Sequence, residues 1–333
     1  MAPTTVRICR RRMEKTALID RPVLSEAVYL SLVAPCYNEE TVLPRFYADA
    51  VKICESIKQP FELIFIDDGS KDATLKILRQ MAHNDTRVHY ISFSRNFGKE
   101  AAMLAGLQAA RGTYTVVLDA DGQDPPALIP QMLEAVASGE YDCAGTRRIN
   151  RAGEPPVRSF FAWCFYRIMG KITDIDIPDG VRDFRLMNRR YMDALLTLPE
   201  RNRFSKGIFP WIGFNTKWFE YENIARTAGG TKWSFWKLLT YSFDGITAFS
   251  SKPVVIVSVL GIILFMIALA VIIFIIIRKL AYGDPVAGWA STICIILFCS
   301  GIQLFTTGIL GQYIAKTYTE TKQRPHYIIR EAQ

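Results

Sequence analysis

The chain has 333 residues, half of them hydrophobic, and a formal net charge of +8. That length can bury a sizeable core in one to three domains, and its seven cysteines (9, 36, 54, 143, 164, 294, 299) form no CxxC pair and have no His partners, so neither structural zinc nor a disulfide framework is supported. The positive surplus suits lipid phosphates, while nucleic acid, the other partner such charge would suit, has no recognised binding motif to go with it.

The first 27 residues contain RICRRRMEK, and no apolar segment follows it, so this is not a secretory signal but a basic tail, with contact to anionic lipid as the other reading. From there the pattern alternates. YLSLVAP (29–35), FELIFI (61–66), VHYISFS (88–94) and YTVVLD (114–119) read as strands. Helices are predicted over 39–57, over 72–83, along GKEAAMLAGLQAA, and along PPALIPQMLEAVAS, whose prolines fit a helix start. Continuous apolar strands between helices indicate a parallel sheet covered on both faces, and in such sheets ligands bind outside the carboxyl ends of the strands. Those ends read PCYNEE, DDGS, SRNFG and DADGQD, and three of the four carry acids.

No GxGxxG follows the first strand and there is no GxxxxGK[ST], so the chain lacks the phosphate-cradling glycines of dinucleotide and P-loop sites. A diphosphate here needs its charge neutralised otherwise, and a hard divalent cation held by one or two carboxylates does so. Asp119 and Asp121 point to opposite sides of an ideal strand, but the chain is turning at that end, so one can hold the metal and the other sugar or ribose hydroxyls. Further on, TRRINRAGEPPVRS (146–159) supplies Arg147, Arg148, Arg151 and Arg158 in a Pro/Gly-broken stretch suited to phosphate binding, or else forms a solvated basic loop. ARTAGGTKWSFWKLL places Arg226, Lys232, Trp233 and Trp236 as a helix lying on headgroups would.

Two uncharged stretches follow, 253–277 and 285–315. Both exceed the roughly 20 helical residues that a bilayer core requires. The second carries Gln303 and Gln312, and its Gly301, Gly308 and Gly311 suit close helix packing. Lys232, Lys237 and Lys252 precede the first span and Lys316, Lys322, Arg324 and Arg330 follow the second, so the positive-inside rule puts both chain ends in the cytoplasm.

PCYNEE, DDGS, SRNFGK and DADGQDPP, in this order and spacing, resemble the family 2 glycosyltransferases with a GT-A fold. The two apolar stretches, GVRDFRLMNRR (180–190) and RFSKGIFPWIGF (203–214) narrow the resemblance to the bacterial polyprenyl-phosphate glycosyltransferases, nearest to the bactoprenol glucosyltransferases of O-antigen modification in lipopolysaccharide. Dolichyl-phosphate mannose synthases and the aminoarabinose transferases of lipid A modification resemble it more distantly. The likeness spans about residues 28–318.

That resemblance implies an α/β fold: a GT-A type doubly wound, mainly parallel sheet with juxtamembrane amphipathic helices and two C-terminal transmembrane helices. The expected division is a basic tail (1–27), a cytosolic catalytic domain (28–230), a juxtamembrane segment (231–252), two membrane helices (253–315) and a cytosolic tail (316–333). Pro35, Tyr37, Glu39 and Asp68 would surround the nucleobase and ribose with Asp67 beside them, and Asn96 and Lys99 would add donor contacts. Asp119 and Asp121 match the DxD metal and diphosphate motif, with Gln123 as a further ligand of Mg2+ or Mn2+. Arg226 and Lys232 match a segment that closes over the donor diphosphate, and Arg147, with Arg158, would meet the acceptor phosphate. Asp183 sits at the position of a proposed catalytic acid and would act as a base, or orient Arg182 and Arg185.

The implied reaction is inverting transfer of a sugar, glucose from UDP-glucose as the family-based choice, to undecaprenyl phosphate at the bacterial inner membrane. Other UDP-sugars or GDP-mannose remain open as donors, and relatives form oligomers. A processive polysaccharide synthase would need a QxxRW stretch and more spans, a flippase would need intramembrane charge, and a scaffold would be expected to lose the metal acids.

Overall fold

The computed structural model of the protein describes residues 27–149, 180–222, 252–282 and 288–333, with the single residues 167, 178, 247 and 250. In chain order the first half runs β1 (Leu30–Cys36), α1 (Leu43–Ser56), β2 (Phe61–Asp67), α2 (Thr74–Asn84), β3 (Val88–Phe93), α3 (Lys99–Ala109), β4 (Tyr114–Val117) and α4 (Ile129–Ala137). Then come β5 (Cys143–Arg148), β6 (Val181–Asn188), α5 (Arg189–Leu196), α6 (Ser205–Trp211), β7 (Thr216–Tyr221), α7 (Lys252–Tyr282), α8 (Trp289–Thr321) and β8 (Ile329–Ala332).

The strands form one sheet in the order β7-β5-β6-β4-β1-β2-β3-β8. β4, β1, β2 and β3 are parallel neighbours, as is the β5–β7 pair, while β6 and β8 run antiparallel to their partners. Alternation along the buried strands explains the double winding, because successive side chains face opposite sides. Leu32 and Ala34 of β1 face a core shared with Leu43 and Phe46 of α1, Leu78 of α2 and Met132 of α4. Val33, between them, faces a second core shared with α3, Tyr191 of α5 and Ile208 of α6. Each fully buried Leu, Ile or Phe contributes roughly 1.5–3 kcal/mol. Helix α3 lies against the middle of the sheet and is buried almost all round. A Cβ at Gly106 would stand 2.1 Å from Val33 Cγ1, so glycine lets α3 approach the sheet this closely.

The second half departs from the sequence pattern. β6, VRDFRLMN, carries three charges yet is a strand flanked on both sides, because Phe184, Leu186 and Met187 are fully buried. Helix α7 has 31 residues, and its Lys252–Val271 segment, with mean hydropathy 3.2, is long and apolar enough to cross a membrane. Helix α8 has 33 residues, continues past position 315 to Thr321, and is followed by β8 at the sheet edge, so the segment read as a tail supplies a strand of the catalytic sheet. Residues 1–26, most of 231–251, and Arg151, Arg158, Arg226, Lys232, Trp233 and Trp236 lie outside the described residues.

Candidate active site

The carboxyl ends of β1, β2, β3 and β4 open on one edge of the sheet, as parallel neighbours must. β4 ends at Val117, so Asp119 lies just beyond the strand where the chain has begun to turn, and Gly122 with φ 72° completes that turn. Lys99, the first residue of α3, reaches across to Asp119 with its Nζ 2.7 Å from Oδ2, and the same ammonium donates to Asp183 Oδ2. Arg182 stands 4.0 Å from the same Asp119 Oδ2 and 3.3 Å from Asp124 Oδ1. Tyr221 also donates to Asp124 Oδ1, while Asp124 Oδ2 is buried with no hydrogen-bond partner among the described residues.

Arg182 and Asp183 reach this cluster together because of an irregularity in the ladder. Gly145 pairs with Arg185 but Arg147 pairs with Val181, so β6 carries extra residues there and its side chains are re-aimed. Arg185, two residues on, is fully buried elsewhere, donating to Tyr191 Oη at 3.1 Å and lying 4.1 Å over the Phe209 ring. Asp183 therefore meets Lys99, and Arg185 belongs to the core.

Electrostatics separate the two acids. Burial raises the Asp119 carboxyl, with Lys99 opposing and Asp124 and Asp183 reinforcing the rise. Burial also works against ionised Asp183, but Lys99, Lys206 and Arg182 outweigh it and hold its pKa well below the ordinary carboxylate value. Lys99 is desolvated too, yet Asp119 and Asp183 hold its pKa above the ordinary value.

Beside this cluster a cleft of about 480 Å³ opens over the ends of β2 and β3, a size that suits a small ligand. Tyr37, Asp67, Ser92, Arg95, Asn96 and Arg330 are among its lining residues. Asp67 accepts from the Ser70 N–H at 3.0 Å and from the Ser92 hydroxyl at 2.7 Å. Asp68 accepts from the Phe97 N–H at 2.6 Å and the Gly98 N–H at 2.9 Å, fixing the loop that leads to Lys99. Burial pushes the Asp68 carboxyl up to about 6 in spite of those two bonds. Gly69 has φ +67°, and a Cβ there would sit 2.4 Å from the Arg95 backbone, so the DDGS turn and the SRNFG loop meet only through glycine. Glu39 and Asn38 are tied by their backbone N–H groups to Thr74 and Ser70 at 2.9 Å, and Pro35, in β1, pairs with Ile66 of β2.

The donors offered to a cation are all oxygen: Asp119, Asp121 and the Gln123 amide. Such a set fits hard Mg2+ or Mn2+. Among the described residues no three His, Cys, Asp or Glu side chains are grouped to hold a metal ion, so an ion held by these oxygens would need further ligands from a bound phosphate and water. Gln123 Oε1 accepts from Arg148 at 3.2 Å, and the Gln123 N–H donates to Asp121 Oδ1 at 3.1 Å. Neighbouring strand residues face opposite ways. Arg148 thus turns to the DxD loop, and Arg147 pairs with Glu220 at the surface. Asp124 and Tyr221 are cluster members that motif reading passed over, while Arg148 was read with the phosphate-binding stretch and Arg182 as a residue that Asp183 would orient. Asp124 stood inside the quoted DGQDPP, and the others come from β5, β6 and β7.

Glu100 adds a titrating support. It accepts from the Ser205 N–H at 3.0 Å and from its hydroxyl, tying α3 to α6. Burial, with Asp183 nearby, raises its carboxyl from 4.5 to about 7 against the Ser205 bonds. The folded protein thus holds this proton more tightly than the unfolded chain. That stabilisation is full below about pH 4.5 and is lost as pH rises through about 7. Thermal unfolding from about pH 5 to about pH 8 is expected to show wild type losing stability relative to Glu100→Gln. Parallel pH profiles would contradict this.

Residues 31–196 match the family described as Glycosyl transferase family 2. Over 303 residues the chain is 42% identical to the putative glycosyltransferase CsbB of Bacillus subtilis, covering 91% of this chain and 92% of the relative. It is 40% identical over 304 residues to the prophage bactoprenol glucosyl transferase homolog of Escherichia coli, covering 91% and 99%. The bactoprenol glucosyl transferase of Shigella phage SfII is 40% identical over 303 residues, with 91% and 98% covered. Among solved structures, glucosyl-3-phosphoglycerate synthase from Mycobacterium tuberculosis is 20% identical, with 66% of this chain and 78% of that chain covered and a TM-score of 0.45.

Proposed function

Because the chain belongs to glycosyl transferase family 2, we propose that this glycosyltransferase moves glucose from UDP-glucose to undecaprenyl phosphate, with inversion, at the cytosolic face of a bacterial inner membrane. The observation that carries the reading is the meeting of Asp119 with Lys99, Asp183 and Arg182 at one sheet edge, beside a nucleoside-sized cleft. The bactoprenol glucosyl transferases it resembles along nearly their whole length support the acceptor and the sugar.

The nucleophile is a lipid phosphate oxygen. A phosphate monoester has its second pKa near 6 and is largely dianionic at neutral pH, so it needs little help from a base. Asp183, held ionised by its cations, is a weak base in any case. Its role in this reading is to position Lys99. Asp119, Asp121 and Gln123 would hold Mg2+ or Mn2+, which when bound supplies charge neutralisation at the departing diphosphate. Lys99 and Arg182 add fixed positive charge on the same side, and Tyr37, Asp67, Asp68, Asn96, Pro35 and Glu39 would frame the nucleoside. Arg147, with Arg158, would meet the acceptor phosphate, and Arg226 and Lys232 would close over the donor.

Chain connectivity supports membrane attachment in this reading. α7 would carry the chain away from the catalytic sheet through its apolar segment, and because β8 is back in that sheet α8 would make the return crossing. The two helices run antiparallel, with Tyr313 bonded to the Ser250 carbonyl at 2.7 Å and Ser258 beside Thr306. Phe298, Leu304, Phe305 and Ile314 of α8 are exposed, as lipid-facing side chains would be. Lys252 and Lys316, at the sheet-side ends of the two helices, keep catalytic domain and C-terminus on the cytosolic side by the positive-inside rule.

The reading is tested by incubating the full-length protein with undecaprenyl phosphate and a panel of UDP- and GDP-sugars, then analysing extracted lipid by mass spectrometry and NMR. A single β-linked hexose on the lipid phosphate, from UDP-glucose, is expected. Another sugar would replace the donor, a polymer would favour a synthase, and unmodified lipid from every donor would overturn the reaction.

A further inference from the structure

The last strand reaches the active-site edge through an irregularity. β8 runs antiparallel to β3, with Ser92 opposite Glu331 and Phe93 opposite Ile329, which leaves Arg330 as the extra residue of a bulge. Bulges turn the side chain they carry out of the regular alternation. Here that side chain lines the 480 Å³ cleft together with Tyr37, Asp67, Ser92 and Asn96. The residues around it hold the strand in place. Arg79 makes two bonds to the Glu331 carboxylate, at 2.7 and 2.6 Å. Tyr327 stacks on Phe93 with ring centroids 4.8 Å apart and donates to Gln108 Oε1 at 2.6 Å. Tyr90 and Gln333 exchange backbone bonds of 3.0 Å. Arg330 itself is exposed, and among the described residues it forms no ion pair.

We propose that Arg330 is a donor-binding residue whose guanidinium contacts the nucleoside of the sugar nucleotide, an assignment that rests on the glycosyl-transfer reading above. Sheet order supports the nucleoside rather than the diphosphate. Asp119 follows β4, and β1, β2 and β3 separate β4 from β8. With strands about 4.8 Å apart this places the diphosphate site and β8 about 19 Å from each other along the edge, so a side chain reaching in from β8 meets the nucleoside end of the donor and not its diphosphate. A guanidinium is a planar fork of donors, suited to the carbonyl oxygens of a base or the hydroxyls of a ribose. The Asp67 carboxylate in the same cleft only accepts hydrogen bonds, so it cannot supply the donors that carbonyl oxygens require. The donor cleft is therefore completed by the segment that emerges from α8.

The test titrates full-length protein in detergent with UDP and, by competition, with uridine, for wild type, Arg330→Ala, Arg330→Lys and the strand-clamp variant Glu331→Gln, with steady-state transfer measured alongside. Arg330→Ala is expected to weaken UDP and uridine by the same factor, about tenfold. KM for the donor rises correspondingly and kcat at saturating donor stays within about twofold. Arg330→Lys should fall between, and Glu331→Gln should bind UDP like wild type. Unchanged UDP affinity in Arg330→Ala, a loss for UDP without one for uridine, or a fall in kcat alone would each overturn the assignment. Wild-type protein that binds neither UDP nor GDP would overturn the glycosyl-transfer reading beneath it.

Discussion

Asp119→Asn is expected to lower kcat for sugar transfer by about 10²–10³-fold, the usual cost of removing one charge that stabilises a transition state, while leaving the protein folded. Asparagine keeps the size and one oxygen of the side chain but removes the charge that meets Lys99 at 2.7 Å and Arg182 at 4.0 Å. Burial already works against the ionised form of Asp119, so the neutral amide relieves a desolvation cost as it gives up an ion pair, and the unfolding temperature should move little. Initial rates with labelled donor, read beside thermal unfolding, separate the two effects. A variant within threefold of wild-type kcat would remove Asp119 from the chemistry.

Lys99→Met attacks the same cluster from its cationic side. One ammonium serves two acids, Asp119 and Asp183, and its loss leaves two carboxylates facing each other. Removing one partner of a buried pair costs about 3–5 kcal/mol. The Lys99 side chain is 36% exposed, so solvent screening reduces the expected loss to about 1–3 kcal/mol. Transfer should be nearly abolished. The diagnostic measurement is a double-mutant cycle: Lys99→Met with Asp183→Asn should recover a large part of the stability without recovering activity. Additive losses in stability would show that the three side chains are not coupled.

The active-site edge was readable because parallel strands impose it. Once 30–36, 61–67, 88–93 and 114–117 are strands of one sheet, the residues after them share an edge, and the acids at 67, 68, 119 and 121 could be placed there from pattern alone. Lys99 was read as a donor contact, but its pairing with Asp183 required the turn of β6, and no periodicity announces that turn. VRDFRLMN hides its strand character because two of its charges are lifted out by a ladder irregularity and a third, Arg185, is buried against rings. Partners joined over long connections leave no local signature, which is why β5, β6 and β7 went unread. β8 was concealed for another reason. A four-residue strand, IREA, is too short for alternation to register, and it belongs to the sheet only through β3, more than two hundred residues earlier in the chain. Of the two apolar stretches, the first reads alike in sequence and structure. The second carries Gln303, Gln312 and several Thr, and among the described residues only the first forms a helix apolar enough to cross a membrane.

The central claim is that carboxylates at the end of β4 hold the donor through its diphosphate and a divalent cation. Calorimetric titration of the wild-type protein with UDP, once in Mn2+ and once in EDTA, tests it most directly. Binding in Mn2+ that is lost in EDTA and restored by added metal is the expected result. Equal UDP affinity in both conditions would contradict the account and leave the neutralisation of the diphosphate to basic side chains such as Lys99 and Arg182.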